Sequence, residues 1–127
     1  MTSTSLTLVA AGIFALFVPD QLVTLINVPR SDSLLVLVQL MGALYFSFAL
    51  MNWTAKDSAI GGIYARPVSL ANFSHFFIGT LLLIKYQLSH ELSVPGLLAL
   101  ILYAVFAALF YWLVFRATGI VVPKSAE

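Results

Sequence analysis

Two polar side chains lie inside one long apolar stretch of this sequence. The stretch runs from Arg66 to Tyr86, which is long enough to cross a bilayer, and it contains Asn72 and His75. Hydrocarbon offers no water to an amide or an imidazole, so both side chains must face protein, a water-filled cavity or a ligand. Because imidazole titrates near neutral pH, His75 is the candidate for ligand contact or proton transfer.

Each of these polar residues also has a purely structural interpretation. A neutral His75 can tie its helix to a tyrosine or an asparagine of a neighbouring helix, and Asn72 is more readily explained as an interhelical hydrogen bond than as a ligand contact. Arg66, at the start of the stretch, is most often a charge that snorkels to the headgroups and sets topology, with recognition of an anion or a headgroup as the functional alternative.

Other apolar stretches carry further polar side chains at helical spacing. Three- and four-residue steps place Gln39 and Asn52 on one face of the second stretch, bordered by Tyr45, and four-residue steps on the fourth stretch lead to Tyr111. We expect Asn52 and Tyr111 to converge with the three polar residues of the third stretch in the cytoplasmic half of the bundle, with Gln39 nearer the opposite leaflet. The candidate ligand-binding residues are therefore His75, Asn72, Asn52, Tyr111, Arg66, Tyr45 and Gln39.

The sequence gives little support for catalysis or for a metal site. His75 has no histidine, cysteine or acidic residue three or four positions away, and His90 and Glu91 are expected at the opposite membrane face. Ser69 and Ser74 lie at helical offsets that do not aim them at the imidazole. There is no cysteine and no glycine-rich phosphate loop. We therefore expect no metal and no cofactor, and we favour a non-enzymatic protein.

The composition predicts that membrane-spanning helices carry these residues. The chain has 127 residues, of which 61% are hydrophobic and 9% are charged, against about 25% charged in a soluble domain. So short a chain cannot hide that much apolar surface from water, so the surplus must face lipid. The net charge of +1, without a basic run, gives no case for nucleic acid as a partner.

Four apolar segments predict the architecture. Each carries a stripe of small or polar residues that can face its neighbours, which favours a compact bundle. We predict an all-α integral membrane four-helix bundle that forms a single domain over residues 1–127. The predicted spans are about 5–26, 33–54, 67–86 and 95–115.

The first segment allows two interpretations. Ser5–Val18 alone is 14 residues, short of the roughly 20 needed to cross the bilayer. One helix can continue through a kink at Pro19 to about Ile26. Alternatively, the span ends near Val18, and Asp20–Val28 forms a short interfacial helix with Pro19 as its first residue. The length requirement favours the kinked continuous helix.

The positions of lysine and arginine predict the orientation. No basic residue precedes the first apolar segment, so we expect a retained helix instead of a cleaved signal peptide. With four spans, both termini and the 54–65 connection share one side, and the excess of basic residues makes that side cytoplasmic. That side carries Lys56, Arg66, Arg116 and Lys124, and the other carries Arg30 and Lys85.

Three segments together resemble a known family. They read VPDQLVTLI, then MGALYFSFAL, then ARPVSLANFSHFFIGTLLL. Over about residues 10–85 the pattern resembles the DoxX-like group of small four-span bacterial membrane proteins. The resemblance implies a bacterial inner-membrane protein, and some members of the group accompany redox or quinone-linked enzymes. No residue of this sequence corresponds to a redox ligand.

These observations support three hypotheses about function. The leading one is a non-enzymatic membrane protein that binds a small amphipathic or lipid-like ligand, or a partner helix, around Asn52, Asn72 and His75. The second is an oligomeric small transporter or channel whose path passes His75 and Gln39. The third is a membrane enzyme or accessory subunit that acts on a lipophilic, quinone-like or sterol-like substrate. The expected partners are the lipid bilayer and a lipid-like small molecule, with a homo-oligomer left open.

Overall fold

The computed structural model describes residues 1–58, 65–89 and 93–115, and every regular element within those ranges is an α-helix. Helices α3, α4 and α5 are each long and apolar enough to cross a membrane, which confirms the prediction of an all-α chain with membrane-spanning helices. The helices are α1 (Thr2–Phe17), α2 (Pro19–Leu25), α3 (Asp32–Ala55), α4 (Ala65–Ser89) and α5 (Val94–Phe115).

The helices form two compact units. Residues 1–57 hold α1, α2 and α3, and residues 58–127 hold the hairpin of α4 and α5. Within each unit, most large apolar side chains on the outer helix faces are exposed, which is the arrangement that lipid requires. The assembly of both units into one four-helix bundle stays a prediction.

The first apolar segment is broken at Val18. Val18 leaves the helical region (φ −133°, ψ 44°), and Pro19 then begins a second helix whose axis is bent by 100° from the axis of α1. Proline has no N–H to continue the ladder of α1 but fits the first turn of a new helix. The structure therefore supports the alternative with Pro19 as a helix start, and the expectation of one continuous kinked helix through Pro19 is wrong.

Helices α1 and α3 pack antiparallel at backbone distance. A Cβ added to Gly12 would lie 2.9 Å from the carbonyl oxygen of Gly42, and a Cβ added to Gly42 would lie 2.9 Å from the backbone nitrogen of Leu16. On one side of this crossing, the Ser5 hydroxyl donates to the carbonyl oxygen of Ala49 at 2.8 Å. Small residues are what allow such an approach between membrane helices.

A turn connects α2 to α3. Asn27 has a φ of 54°, a left-handed conformation that asparagine tolerates better than most residues. Ser31 caps α3, since its hydroxyl accepts a hydrogen bond from the N–H of Leu34 at 3.2 Å. Arg30 forms an exposed ion pair with Asp20 of α2 at 2.9 Å.

Aromatic packing holds α4 against α5. Phe76 is 1% exposed and stacks on Phe106, with ring centroids 4.9 Å apart, and on Phe110. The ring of Tyr103 lies directly on Gly79. Helix α4 also continues to Ser89, beyond the predicted end of its span at residue 86, and Gln87 in its last turns is buried.

Candidate functional site

The imidazole of His75 and the phenol of Tyr103 meet near the middle of the second unit. The hydroxyl oxygen of Tyr103 lies 3.4 Å from Nε2 of His75, and the tautomer of the ring decides which group donates. The midpoint of α4 is Phe77, and Tyr103 is the tenth of the 22 residues of α5. Both groups are therefore near the middle of helices long and apolar enough to cross a membrane, where hydrocarbon would leave a polar side chain no water to bind.

Neighbouring rings hold this pair in place. Phe76 packs edge-on against both, with ring centroids 5.1 Å from His75 and 5.2 Å from Tyr103. Gly79 makes room for the phenol, because a Cβ there would lie 2.5 Å from Cε1 of Tyr103. His75 and Tyr103 are only half-buried. The pair therefore combines fixed polar atoms with a surface that a second molecule can reach.

Asn72 and Asn52 are fully buried and bond in the same way. Nδ2 of Asn72 donates to the carbonyl oxygen of Val68 at 2.7 Å, and Nδ2 of Asn52 donates to that of Phe48 at 2.9 Å. Each amide thus binds the backbone one turn earlier in its own helix, and the interhelical hydrogen bond expected of Asn72 stays a prediction. Asn52 belongs to the first unit, and its convergence with the residues of the second unit stays a prediction.

Tyr111 and Arg66 lie on exposed parts of the second unit. Tyr111 is 52% exposed, and its ring packs against Phe73 and Phe115 at centroid distances of 5.9 Å and 5.0 Å. Arg66 is exposed in the first turn of α4. These surroundings match an aromatic cluster on the outer face and a snorkelling charge more closely than the lining of an enclosed pocket.

Gln39 has a specific partner within the first unit. Its Nε2 donates to the carbonyl oxygen of Leu16 at 3.3 Å. In an unbroken helix that carbonyl would bind the N–H of residue 20, but α1 ends at Phe17, so Gln39 binds an acceptor that the break leaves free. Tyr45 is half-buried on the same helix.

Gly79 is a part of this site that the sequence also indicates. Gly79 lies four residues after His75, so it shares the helical face of the imidazole, and a glycine there permits an aromatic ring to approach. The structural interpretation of His75 allowed a tyrosine or an asparagine as its partner, and the structure places Tyr103 there, whereas Tyr111 was the tyrosine expected to converge with it. His90, Glu91, Arg116 and Lys124 lie outside the described residues.

Three of the described helices are long and apolar enough to cross a membrane, which indicates an all-helical membrane protein. A half-buried imidazole and a half-buried phenol meet within its second unit. Comparison with protein-family models, curated proteins and solved structures finds no match for this chain. The resemblance to the DoxX-like group therefore stays a prediction.

Proposed function

We propose that this chain is a non-enzymatic integral membrane protein that binds a small amphipathic, lipid-like molecule at the pair of His75 and Tyr103. The observation that carries the proposal is a half-buried imidazole near the middle of an apolar helix, 3.4 Å from a phenol hydroxyl. Ionisable groups at that depth are rare, and they usually serve a ligand or a transport path.

The surroundings of the pair suggest the chemistry of the ligand. A hydroxyl, carbonyl or carboxylate of the ligand would hydrogen-bond to the imidazole or the phenol, which between them offer a donor and an acceptor. An apolar body would pack on apolar side chains that the hairpin exposes on the same helical face, such as Leu82, seven residues after His75. This division into one polar group and one apolar body is the property of a lipid-like molecule. Asn72 is fully buried and stabilises α4 through its hydrogen bond to the carbonyl oxygen of Val68.

Native mass spectrometry of the protein released from detergent tests the proposal. The wild-type protein is expected to retain a bound lipid-like molecule, and His75→Phe is expected to lose it, because phenylalanine keeps the ring but removes both nitrogens. Tyr103→Phe removes only the hydroxyl and should weaken retention. Ser74→Ala changes the adjacent, exposed position and serves as the matched control, with retention unchanged.

Thermal unfolding separates loss of binding from loss of structure. If His75→Phe unfolds near the wild-type temperature without added lipid but is no longer stabilised by the lipid identified in the wild-type protein, the proposal stands. If the wild-type protein and His75→Phe retain the lipid equally and are stabilised by it equally, the imidazole does not bind the lipid and the proposal is wrong. Flux through proteoliposomes that disappears in the same variant would instead support the transporter hypothesis.

We further propose a bacterial inner-membrane location with both termini cytoplasmic. The resemblance to the DoxX-like group supports the compartment, and the excess of Lys and Arg on the side of the termini supports the orientation. Single cysteines placed at Lys56 and Arg30, in a sequence that has none, should react with a membrane-impermeant maleimide from opposite sides in spheroplasts and inverted vesicles.

A further inference from the structure

Helix α3 provides a scale for depth in the first unit. Its first residue is Asp32, and Trp53 lies 21 positions later, about 32 Å along the helix axis. Nζ of Lys56 lies 3.6 Å from the centroid of the Trp53 ring, a combination suited to a membrane–water interface. Because hydrocarbon is about 30 Å thick, Asp32 and Trp53 mark its two boundaries.

Helix α1 does not reach the boundary at Asp32. Its 16 residues extend about 24 Å. It begins near the Trp53 boundary, since Ser5 binds Ala49, and it ends where Leu16 meets Gln39. Gln39 lies seven positions after Asp32, about 10 Å along the axis. The end of α1 is therefore roughly 8–10 Å below the headgroup boundary.

Helix α2 runs nearly parallel to the membrane from that point. With a bend of 100° from α1, its seven residues cover about 10 Å sideways and change depth by only about 2 Å. Interfacial amphipathic helices lie about 5–10 Å into the boundary between headgroups and acyl chains. The depth reached by α1 and the direction of α2 agree with that class of helix.

The side chains of α2 differ in exposure and polarity. Pro19 and Val23 are buried, and Leu25 is 59% exposed. Three polar residues (Asp20, Gln21 and Thr24) line, together with Leu25, a surface depression of about 310 Å³. Asp20 of this helix pairs at 2.9 Å with Arg30, which lies two residues before Asp32 at the boundary.

We propose that α2 is an interfacial helix that binds phospholipid in the leaflet next to Asp32. The exposed side chains of Phe17 and Leu25 contact acyl chains, and the exposed side chains of Asp20, Gln21 and Thr24 face the glycerol and headgroup region. In this arrangement α2 does not complete the crossing that α1 begins. It holds the end of the short helix under the headgroups, where lipid occupies the space that a longer span would fill.

Depth measurements with single nitroxide labels test the proposal, because the sequence has no cysteine to replace. Labels at the exposed positions Leu37, Leu40 and Leu44 of α3 calibrate depth, with about 10 Å expected from the first to the last. Labels at Gln21 and Leu25 report on α2. Accessibility to oxygen and to a nickel chelate gives the depth of each label in liposomes of phosphatidylethanolamine and phosphatidylglycerol.

We expect Gln21 and Leu25 to lie within about 3 Å of one depth, close to that of Leu37. A rise of about 6 Å toward the surface over these four positions would mean that α2 continues the span, and an equal descent would mean a re-entrant segment. Either gradient overturns the proposal, as does full exposure of both labels to water. Thr24→Cys gives an independent label if one of the two variants fails to fold.

Discussion

Gly42→Ala adds only one methyl group but should strongly destabilise the first unit. The added Cβ would lie 2.9 Å from both the backbone nitrogen of Leu16 and Cβ of Ala15, so it meets backbone that cannot rotate away. Relief requires α1 and α3 to separate by several tenths of an ångström, which stretches the 2.8 Å hydrogen bond from Ser5 to Ala49. Overpacking costs about 1–3 kcal/mol, and a lost hydrogen bond adds about 1 kcal/mol.

The expected loss is thus about 2–4 kcal/mol in the free energy of unfolding. It is measured by steric trapping or by titration with a denaturing detergent. Ala43→Val is the matched control, because Ala43 is the next residue, is exposed, and should accept added bulk with a change below about 0.5 kcal/mol. If Gly42→Ala and the control are equally stable, the helices do not approach at backbone distance and the packing described for this unit is incorrect.

Three further predictions concern single contacts. Gln39→Leu removes the donor to the Leu16 carbonyl and should cost about 1 kcal/mol, with faster hydrogen exchange at the end of α1. Gly79→Ala should displace the Tyr103 ring, whose Cε1 would be 2.5 Å from the new Cβ, and should shift the imidazole nitrogen resonances while most other signals stay unchanged. Ser31→Ala removes the cap of α3 and should cost about 1 kcal/mol, seen as fraying of the first turn by hydrogen exchange.

The membrane-spanning helices were readable from the sequence because the signal is local. The hydrophobicity of a segment depends only on its own residues, and polar or aromatic residues mark its ends. The predicted span 33–54 agrees with Asp32–Ala55, and the predicted span 67–86 lies inside Ala65–Ser89. Helix α4 extends beyond the predicted span because its polar end packs within the protein, where Gln87 is buried.

The break at Pro19 could not be decided from the sequence because it depends on a distant residue. Proline permits both a kink and a helix start. A 100° turn in a membrane is tolerable only where the freed carbonyl groups find donors. Here the donor is Gln39, 23 positions from Leu16, a pairing that no local pattern reveals.

The exposed position of Tyr111 has a geometric cause that spacing alone conceals. Steps of four residues drift by about 40° on a helix with 3.6 residues per turn, so two such steps carry Tyr111 about 80° away from Tyr103. A step of seven residues drifts by only about 20°, and Phe110 is accordingly the buried residue, at 1% exposure. Tyr103 is therefore the phenol that meets the imidazole.

What distinguishes His75 from the other polar residues is the kind of partner it has. Ser5 and Gln39 each donate to a backbone carbonyl of a neighbouring helix, so helix packing explains their polarity. His75 meets another side chain at 3.4 Å, and both groups are half-buried. A phenylalanine in that place would pack on the same rings and avoid the cost of an imidazole in hydrocarbon. The contact with Tyr103 is itself an interhelical one, and binding of a molecule at the imidazole nitrogen stays our proposal.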